Sequence, residues 1–125
     1  MTSPVPTTDP LFPSQWLETA KGICERYYAE FPDHDIRYGE RGRAHCAHDN
    51  AYLTAWLVDA LGPAGASSFG TNVEWLRGLL DARGFPMDAF RRNLELVGEA
   101  VAGIRPEDAQ RIRSLVADAR ADRPA

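Results

Sequence analysis

RGRAHCAHDNAYLTAWLVDALG, residues 41–62, contains a regular hydrophobic pattern. Its apolar and aromatic residues recur at three- and four-residue intervals, the spacing that places side chains on one face of an α-helix. The pattern predicts a helix from about Arg43 to Leu61. Gly62 followed by Pro63 predicts the end of that helix, because neither residue favours its continuation.

Helical periodicity also continues on both sides of this segment. Ser14 is predicted to cap a first helix, which Pro32 ends because a proline pushes the residue before it out of the α region. The segment DHDIRYGERG, residues 33–42, has two glycines and little periodicity, so it is predicted to be a connecting loop with at most a short turn.

Three more helices are predicted downstream of Pro63. The first begins at a cap formed by Ser67 or Ser68 and ends at Gly84, as expected for a glycine followed by an apolar residue and a proline. The second covers about residues 86–103, and Pro106 opens the third. The fold class predicted is all-α, with about five helices in one bundle. Outside the helix at 43–61, the residues predicted to face the core are Leu17, Ala20, Cys24, Tyr27, Phe31, Phe69, Val73, Leu76, Leu79, Leu80, Phe90, Leu94, Val97, Val101, Ile112, Leu115, Val116 and Ala119.

The length and composition fit a single globular domain. The chain has 125 residues, of which 14–119 are predicted to form the domain. Residues 1–13 hold four prolines and are predicted to be a flexible arm, and residues 120–125 a frayed terminus.

Charge and hydrophobicity exclude several classes of partner. The net charge of −4 argues against a nucleic-acid-binding protein, which needs a surplus of cations. No apolar run approaches the length of a membrane span, and the N-terminus has no secretory signal pattern. Together with only two cysteines, this predicts a cytoplasmic protein with free thiols.

One face of the helix at 43–61 combines polar groups with core residues. Cys46, Asp49 and Asn50 align there with Leu53 and Trp56. An aspartate on an apolar face needs a hydrogen-bond donor, from the protein or from a ligand. This face therefore predicts a binding pocket for a polar, flat ligand.

Basic and aromatic residues near that face extend the predicted pocket. Arg37, Arg41 and Arg43 could hold an anionic group, and their charge predicts a lowered pKa for the Cys46 thiol. The aromatic residues that could stack on a flat ligand are Tyr52, Trp56 and Trp75. His45 and His48 give a metal-like spacing with Cys46, but a closed zinc site needs four ligands, so no metal site is predicted.

Each of these residues also has a purely structural interpretation. Cysteine is often a small core residue, and Asp49 could bond a backbone amide. Three arginines in a loop are often only a solvated surface.

The sequence resembles the chromophore region of phycobiliproteins. RYYAEFP (residues 26–32) and then RGRAHCAHDNAYLTAWLVDALG are similar to that family's helix, loop and C-x-x-D helix. The similarity continues through NVEWLRGLLDARGFP (72–86) and FRRNLELVGEAVAGI (90–104) and covers about residues 14–119. The resemblance implies a globin-like, phycobiliprotein-like bundle that lacks the family's N-terminal helical extension.

That resemblance also implies a linear tetrapyrrole (bilin) as cofactor. Cys46 matches the cysteine that forms a thioether to the bilin, and Asp49 matches the aspartate that accepts hydrogen bonds from pyrrole N–H groups. His48 stands where the family usually has an arginine, so Arg41 or Arg43 would have to bind a propionate. The implied protein is a stand-alone bilin carrier, sensor or helper in bilin metabolism, with a homodimer as a possible assembly.

A second resemblance points to cobalamin as the alternative cofactor. Leu53, Trp56 and Leu57, followed by Phe69 to Leu76 and by Arg83 to Pro86, are similar to helical regions that precede cobalamin-binding domains in bacterial regulators. The Trp with a Glu-His pair that covers the corrin in that family is not found here.

Two alternatives of other classes remain open. One is a regulatory protein-interaction domain without a small ligand, since five short helices can expose an apolar groove. The other is an enzyme acting on a tetrapyrrole, with Asp49 or His48 as proton donor. A non-enzymatic tetrapyrrole-binding protein is the leading prediction.

Overall fold

A computed structural model describes residues 14–63 and 66–121. Within these ranges all regular structure is helical, which confirms the all-α prediction for them. The α-helices are α1 (Ser14–Glu30), α2 (Pro32–Ala60), α3 (Ala66–Ala82), α4 (Met87–Ile104) and α5 (Ala109–Arg120), with a 3-10 turn at Pro106–Asp108 before α5. None of the helices in the described ranges has the length and apolar character needed to cross a bilayer. The predicted arm, residues 1–13, lies outside the described residues, as do residues 122–125 of the predicted frayed terminus.

The ends of the helices follow the predicted local signals. α1 ends at Glu30, two residues before Pro32, and α2 ends at Ala60, just before Gly62. At the end of α3, Gly84 takes a φ of 77°. The N–H of Phe85 donates to the carbonyl of Leu80, and that of Gly84 to the carbonyl of Asp81, each at 3.0 Å. This pair of bonds is the glycine-terminated helix stop predicted there.

The predicted loop at residues 33–42 is instead helical. Pro32 occupies the first position of α2, where its missing N–H costs nothing, and Asp33 and Asp35 favour the positive end of the helix dipole. Only Gly39 leaves helical geometry, with φ 61° and ψ −152°, so α2 is two helical segments joined at a kink. The prediction was wrong because both glycines were taken as helix breakers, whereas Gly42 lies within the helix.

The start of α3 also differs from its prediction. α3 begins at Ala66, so Ser67 and Ser68 lie in its first turn and not at its cap. Its end, by contrast, lies within two residues of the glycine that predicted it.

The chain divides into two compact units, of which the first ends at Ala55. Its buried apolar residues lie on α1 and on the second half of α2: Trp16, Ala20, Ile23, Cys24, Tyr27, Ala51, Tyr52 and Leu53. The predicted core residues Leu17 and Phe31 are only half-buried.

The second unit begins at Trp56 and contains α3, α4 and α5. Its buried apolar residues include almost all of those predicted for these helices: Phe69, Val73, Leu76, Phe90, Leu94, Val97, Val101, Ile112, Val116 and Ala119. Leu79, Leu80 and Leu115 are half-buried. Gly98 of α4 faces Val116 of α5, and a Cβ added at Gly98 would lie 2.9 Å from Val116 Cγ2. The glycine thus allows α4 and α5 to approach each other closely.

Candidate functional site

The second half of α2 carries most of the predicted site residues. Cys46, Asn50 and Leu53 are spaced at four and three residues, so they share one side of the helix. Their burial increases along this side, because Cys46 is half-buried whereas Asn50 and Leu53 are 2% and 1% exposed. Asn50 is therefore a buried polar side chain, which must be hydrogen-bonded.

The Asn50 amide meets this requirement by bonding two cysteines. Its Nδ2 atom donates to the Cys46 carbonyl at 3.0 Å and lies 3.3 Å from the Cys46 Sγ atom. The same nitrogen lies 3.7 Å from the Sγ atom of Cys24, on α1. The structure thus brings the two thiols of the chain to one amide group, and both are free cysteines.

The predicted lowering of the Cys46 pKa is wrong. A hydrogen bond with Cys24 and burial raise the pKa of the Cys46 thiol above its ordinary value. The pKa of Cys24 is lowered, chiefly by the hydrogen bond from Cys46 and also by the one from Asn50, against the effect of burial. The sequence could not indicate this arrangement, because the partner of Cys46 lies 22 residues away on another helix.

Asp49 contacts the side chain of its neighbour on α2, His48. Its Oδ1 atom accepts a hydrogen bond from Nδ1 of His48 at 3.2 Å. The His48 ring in turn packs on the ring of Tyr52, with 5.0 Å between centroids. The side chains of Asp49 and His48 are 27% and 41% exposed, so solvent reaches both. We call Asp49, His48 and Tyr52 the Asp49 patch.

Two of the three predicted arginines contact neighbouring side chains. Arg43 donates from Nε and Nη2 to a single oxygen of Asp35, at 2.6 Å in each case. The Arg37 guanidinium lies 5.4 Å from the centroid of the Tyr38 ring. Arg41 is exposed. Arg43 and Arg37 are thus engaged locally, by a carboxylate and by an aromatic ring.

Three further predicted site residues are His45, Trp56 and Trp75. His45 directly precedes Cys46 on α2 and is exposed. Trp56 and Trp75 are half-buried and belong to the second unit. Within the described ranges, His, Cys, Asp and Glu do not group in threes that could hold a metal ion.

A buried Tyr–His pair on α1 and α2 was not predicted from the sequence. The Tyr27 hydroxyl and Nδ1 of His34 are hydrogen-bonded at 2.7 Å, and His34 is 6% exposed. His34 also packs against the rings of Phe31 and Tyr38. Burial, followed by the nearby Cys46, raises the pKa of Tyr27. The segment around His34 was interpreted as a loop, so no inward face was assigned to it.

Comparison with known proteins adds no assignment to this geometry. No protein-family model, curated protein or solved structure matches the chain.

Proposed function

We propose that this chain is a non-enzymatic, globin-like tetrapyrrole-binding protein that holds a linear tetrapyrrole (bilin) reversibly. The observation that carries the proposal is the Asp49 patch, a partly exposed carboxylate next to the rings of His48 and Tyr52, which contact each other at an angle of 55°. A bilin is a flat chain of pyrrole rings with N–H donors, and a carboxylate accepts such hydrogen bonds strongly.

The role proposed for Asp49 is to accept hydrogen bonds from the pyrrole nitrogens. Its carboxylate accepts a hydrogen bond from His48 at 3.2 Å and is 27% exposed, so a ligand can reach it from solvent. An ionised Asp49 beside the pigment would also favour the protonated, cationic form of the tetrapyrrole. The ring of His48 would support one face of the pigment.

The geometry around Cys46 argues for reversible binding. Formation of a thioether needs a thiolate nucleophile, and the pKa of Cys46 is raised by its hydrogen bond with Cys24 and by burial. The Asn50 amide nitrogen, 3.3 Å from the sulfur, lowers this pKa by less than the other effects raise it. The thiol that the family resemblance assigns to covalent attachment is therefore held in an unreactive setting.

The propionate groups of the pigment would bind the arginines that precede the patch. In the Arg43–Asp35 ion pair the Arg43 side chain is 58% exposed and that of Asp35 33% exposed, so the pair lies near the surface. Exposed ion pairs of this kind contribute about 0–1 kcal/mol, so exchange of Asp35 for a propionate costs little. Arg41 is exposed and could bind a second propionate.

Pigment retention tests this proposal and separates the two cofactors considered. The purified chain is mixed with biliverdin or with cobalamin and then passed over a size-exclusion column. The expected result is co-elution of biliverdin with the protein, a red shift of its long-wavelength band and induced visible circular dichroism. Retention of cobalamin alone, or of neither compound, would overturn the bilin proposal.

A further inference from the structure

Cys24 and Cys46 form a pair of thiols around the side-chain amide of Asn50. Neither thiol binds the pigment in the function proposed above. Cys24 comes from α1 and Cys46 from α2, and a single nitrogen, Nδ2 of Asn50, lies 3.7 Å and 3.3 Å from their sulfur atoms. Both sulfur atoms are therefore neighbours of the same amide group, which places the two thiols next to each other between α1 and α2. Rotation of two neighbouring cysteine side chains can bring their sulfur atoms into bonding distance, provided that the backbones are close enough.

The surroundings of the pair differ on its two sides. Cys24 is 9% exposed and Asn50 is 2% exposed, so this side is closed to large molecules. Cys46 is half-buried and provides the route for a small reagent. Redox-sensitive cysteines typically combine a stabilised thiolate with a second thiol positioned next to it.

We propose that Cys24 and Cys46 are a reversible redox site, oxidised to an intramolecular disulfide by a hydroperoxide and reduced again by a small dithiol. This inference needs no tetrapyrrole and goes beyond the proposed function. It gives the half-buried Cys46 a role other than attachment of a pigment.

The oxidation is balanced in three steps. The Cys24 thiolate attacks one oxygen of hydrogen peroxide, the O–O bond breaks, and Cys24 becomes a sulfenic acid. The hydroxide that leaves takes the proton of the Cys46 thiol and forms water. The Cys46 thiolate then attacks the sulfenic sulfur, the S–S bond forms, and a second hydroxide leaves and takes a proton from solvent.

Asn50 is a positioning residue in this reaction, because it bonds both sulfurs without being oxidised. The hydrogen bonds from Cys46 and Asn50 lower the pKa of Cys24, which identifies Cys24 as the first nucleophile. The raised pKa of Cys46 keeps its proton in place for transfer to the leaving hydroxide.

The experiment follows both thiols of the full chain during treatment with dilute hydrogen peroxide. Remaining thiols are alkylated, and intact mass together with non-reducing proteolysis identifies the product. The expected product is a monomer that has lost two hydrogen atoms, contains one Cys24–Cys46 linkage and regains both thiols in dithiothreitol. Two alkylatable thiols after treatment, or a disulfide between chains as the main product, would overturn the proposal.

Single-cysteine variants test the order of the steps. In Cys46→Ser, the sulfenic acid of Cys24 should persist and react with dimedone. In Cys24→Ser, Cys46 should react more slowly than Cys24 does in Cys46→Ser, because burial still raises the pKa of the Cys46 thiol after its contact with Cys24 is lost. Equal dimedone labelling of the two variants would contradict the assigned order.

The unfolded chain and an Asn50 variant test the role of the fold. Disulfide formation should be faster in the folded chain than in urea, since the fold holds the two thiols together. An equal or slower rate in the folded chain would contradict the proposal that the fold positions them for this reaction. In Asn50→Ala, the pH dependence of oxidation should shift to higher pH while far-ultraviolet circular dichroism stays helical. An unchanged pH profile in a folded variant would remove the role of Asn50.

Discussion

The side-chain amide of Asn50 donates to the sulfur of Cys46 across one turn of α2, with 3.3 Å between Nδ2 and Sγ. The same nitrogen lies 3.7 Å from the sulfur of Cys24 on α1, so one amide contacts both thiols. The contact with Cys24 and burial raise the pKa of the Cys46 thiol, so it is a poor nucleophile toward a pigment, but it is well placed to react with another thiol.

Replacement of Cys46 by alanine should therefore leave pigment binding almost unchanged. We expect Cys46→Ala to retain biliverdin with a Kd within about threefold of the original chain, since no covalent bond is lost. The measurement is an absorbance titration, followed by a denaturing gel viewed for pigment. Pigment that stays on the original chain in the gel and disappears in Cys46→Ala would show a thioether and contradict this prediction.

Alkaline pH should destabilise the fold. The pKa values of Tyr27 and Tyr28 are raised, mainly by burial, so the folded chain keeps these protons above the ordinary tyrosine pKa of 10.0, where the unfolded chain releases them. Cys46 acts in the same direction above 9.0, whereas Cys24, with its lowered pKa, adds stability as pH rises only below about 9.0. The free energy of unfolding should thus fall as pH rises from about 9 to 11, by at most about 1.4 kcal/mol per pH unit for each proton.

Tyr27→Phe provides the check on this pH dependence. The variant should have a shallower fall in unfolding free energy above about pH 10, measured by urea denaturation at several pH values. Near neutral pH it should be about 1 kcal/mol less stable, because the hydrogen bond to His34 is lost. A fall of the same steepness in Tyr27→Phe would show that the Tyr27 proton does not contribute.

The approach of α4 to α5 should make Gly98 intolerant of a side chain. A methyl group there would lie 2.9 Å from Val116 Cγ2, so Gly98→Ala should lower the unfolding free energy by about 1–3 kcal/mol. Gly78→Ala is the matched control, since nothing lies near its added Cβ, and it should be neutral or stabilising. Val116→Ala should make room for the methyl group, so the two substitutions should cost less together than their sum. Strict additivity would contradict the steric explanation.

The kink at Gly39 should depend on the absence of a side chain. Its φ of 61° with ψ −152° is a conformation available almost only to glycine, so Gly39→Ala should cost about 1–3 kcal/mol. Gly22→Ala, in the interior of α1 with open space around the added Cβ, should instead stabilise the chain by up to about 1 kcal/mol. Denaturant unfolding of both variants checks the pair. Equal changes in unfolding free energy in the two variants would contradict the requirement for glycine at the kink of α2.

Local chemistry made the ends of helices predictable from the sequence. Pro32 and Gly84 act through their own backbone restrictions, so their effects do not depend on the rest of the fold. The error at residues 33–42 has the opposite origin. Gly42 remains helical, and the space it leaves is needed because an added Cβ would clash with Tyr38. A sequence pattern does not contain that packing requirement.

The candidate site was predictable only in part for a similar reason. Helical spacing correctly placed Cys46, Asn50 and Leu53 on one side of α2. The same spacing gives the face of a residue but not its partner on another helix. Cys24 was therefore assigned to the core alone, and the direction of the Cys46 pKa was predicted from the nearby arginines. The observed direction comes from a thiol that is distant in sequence.

The affinity of Asp49→Asn for biliverdin tests the central claim most directly. Asp59→Asn, an exposed position on the same helix, is the matched control for the change in charge. We expect Asp49→Asn to weaken binding by at least about tenfold and to blue-shift the bound pigment, because a carboxylate acceptor contributes about 1.5–3 kcal/mol. Asp59→Asn should bind like the original chain. Equal affinity of all three proteins for biliverdin would contradict the account.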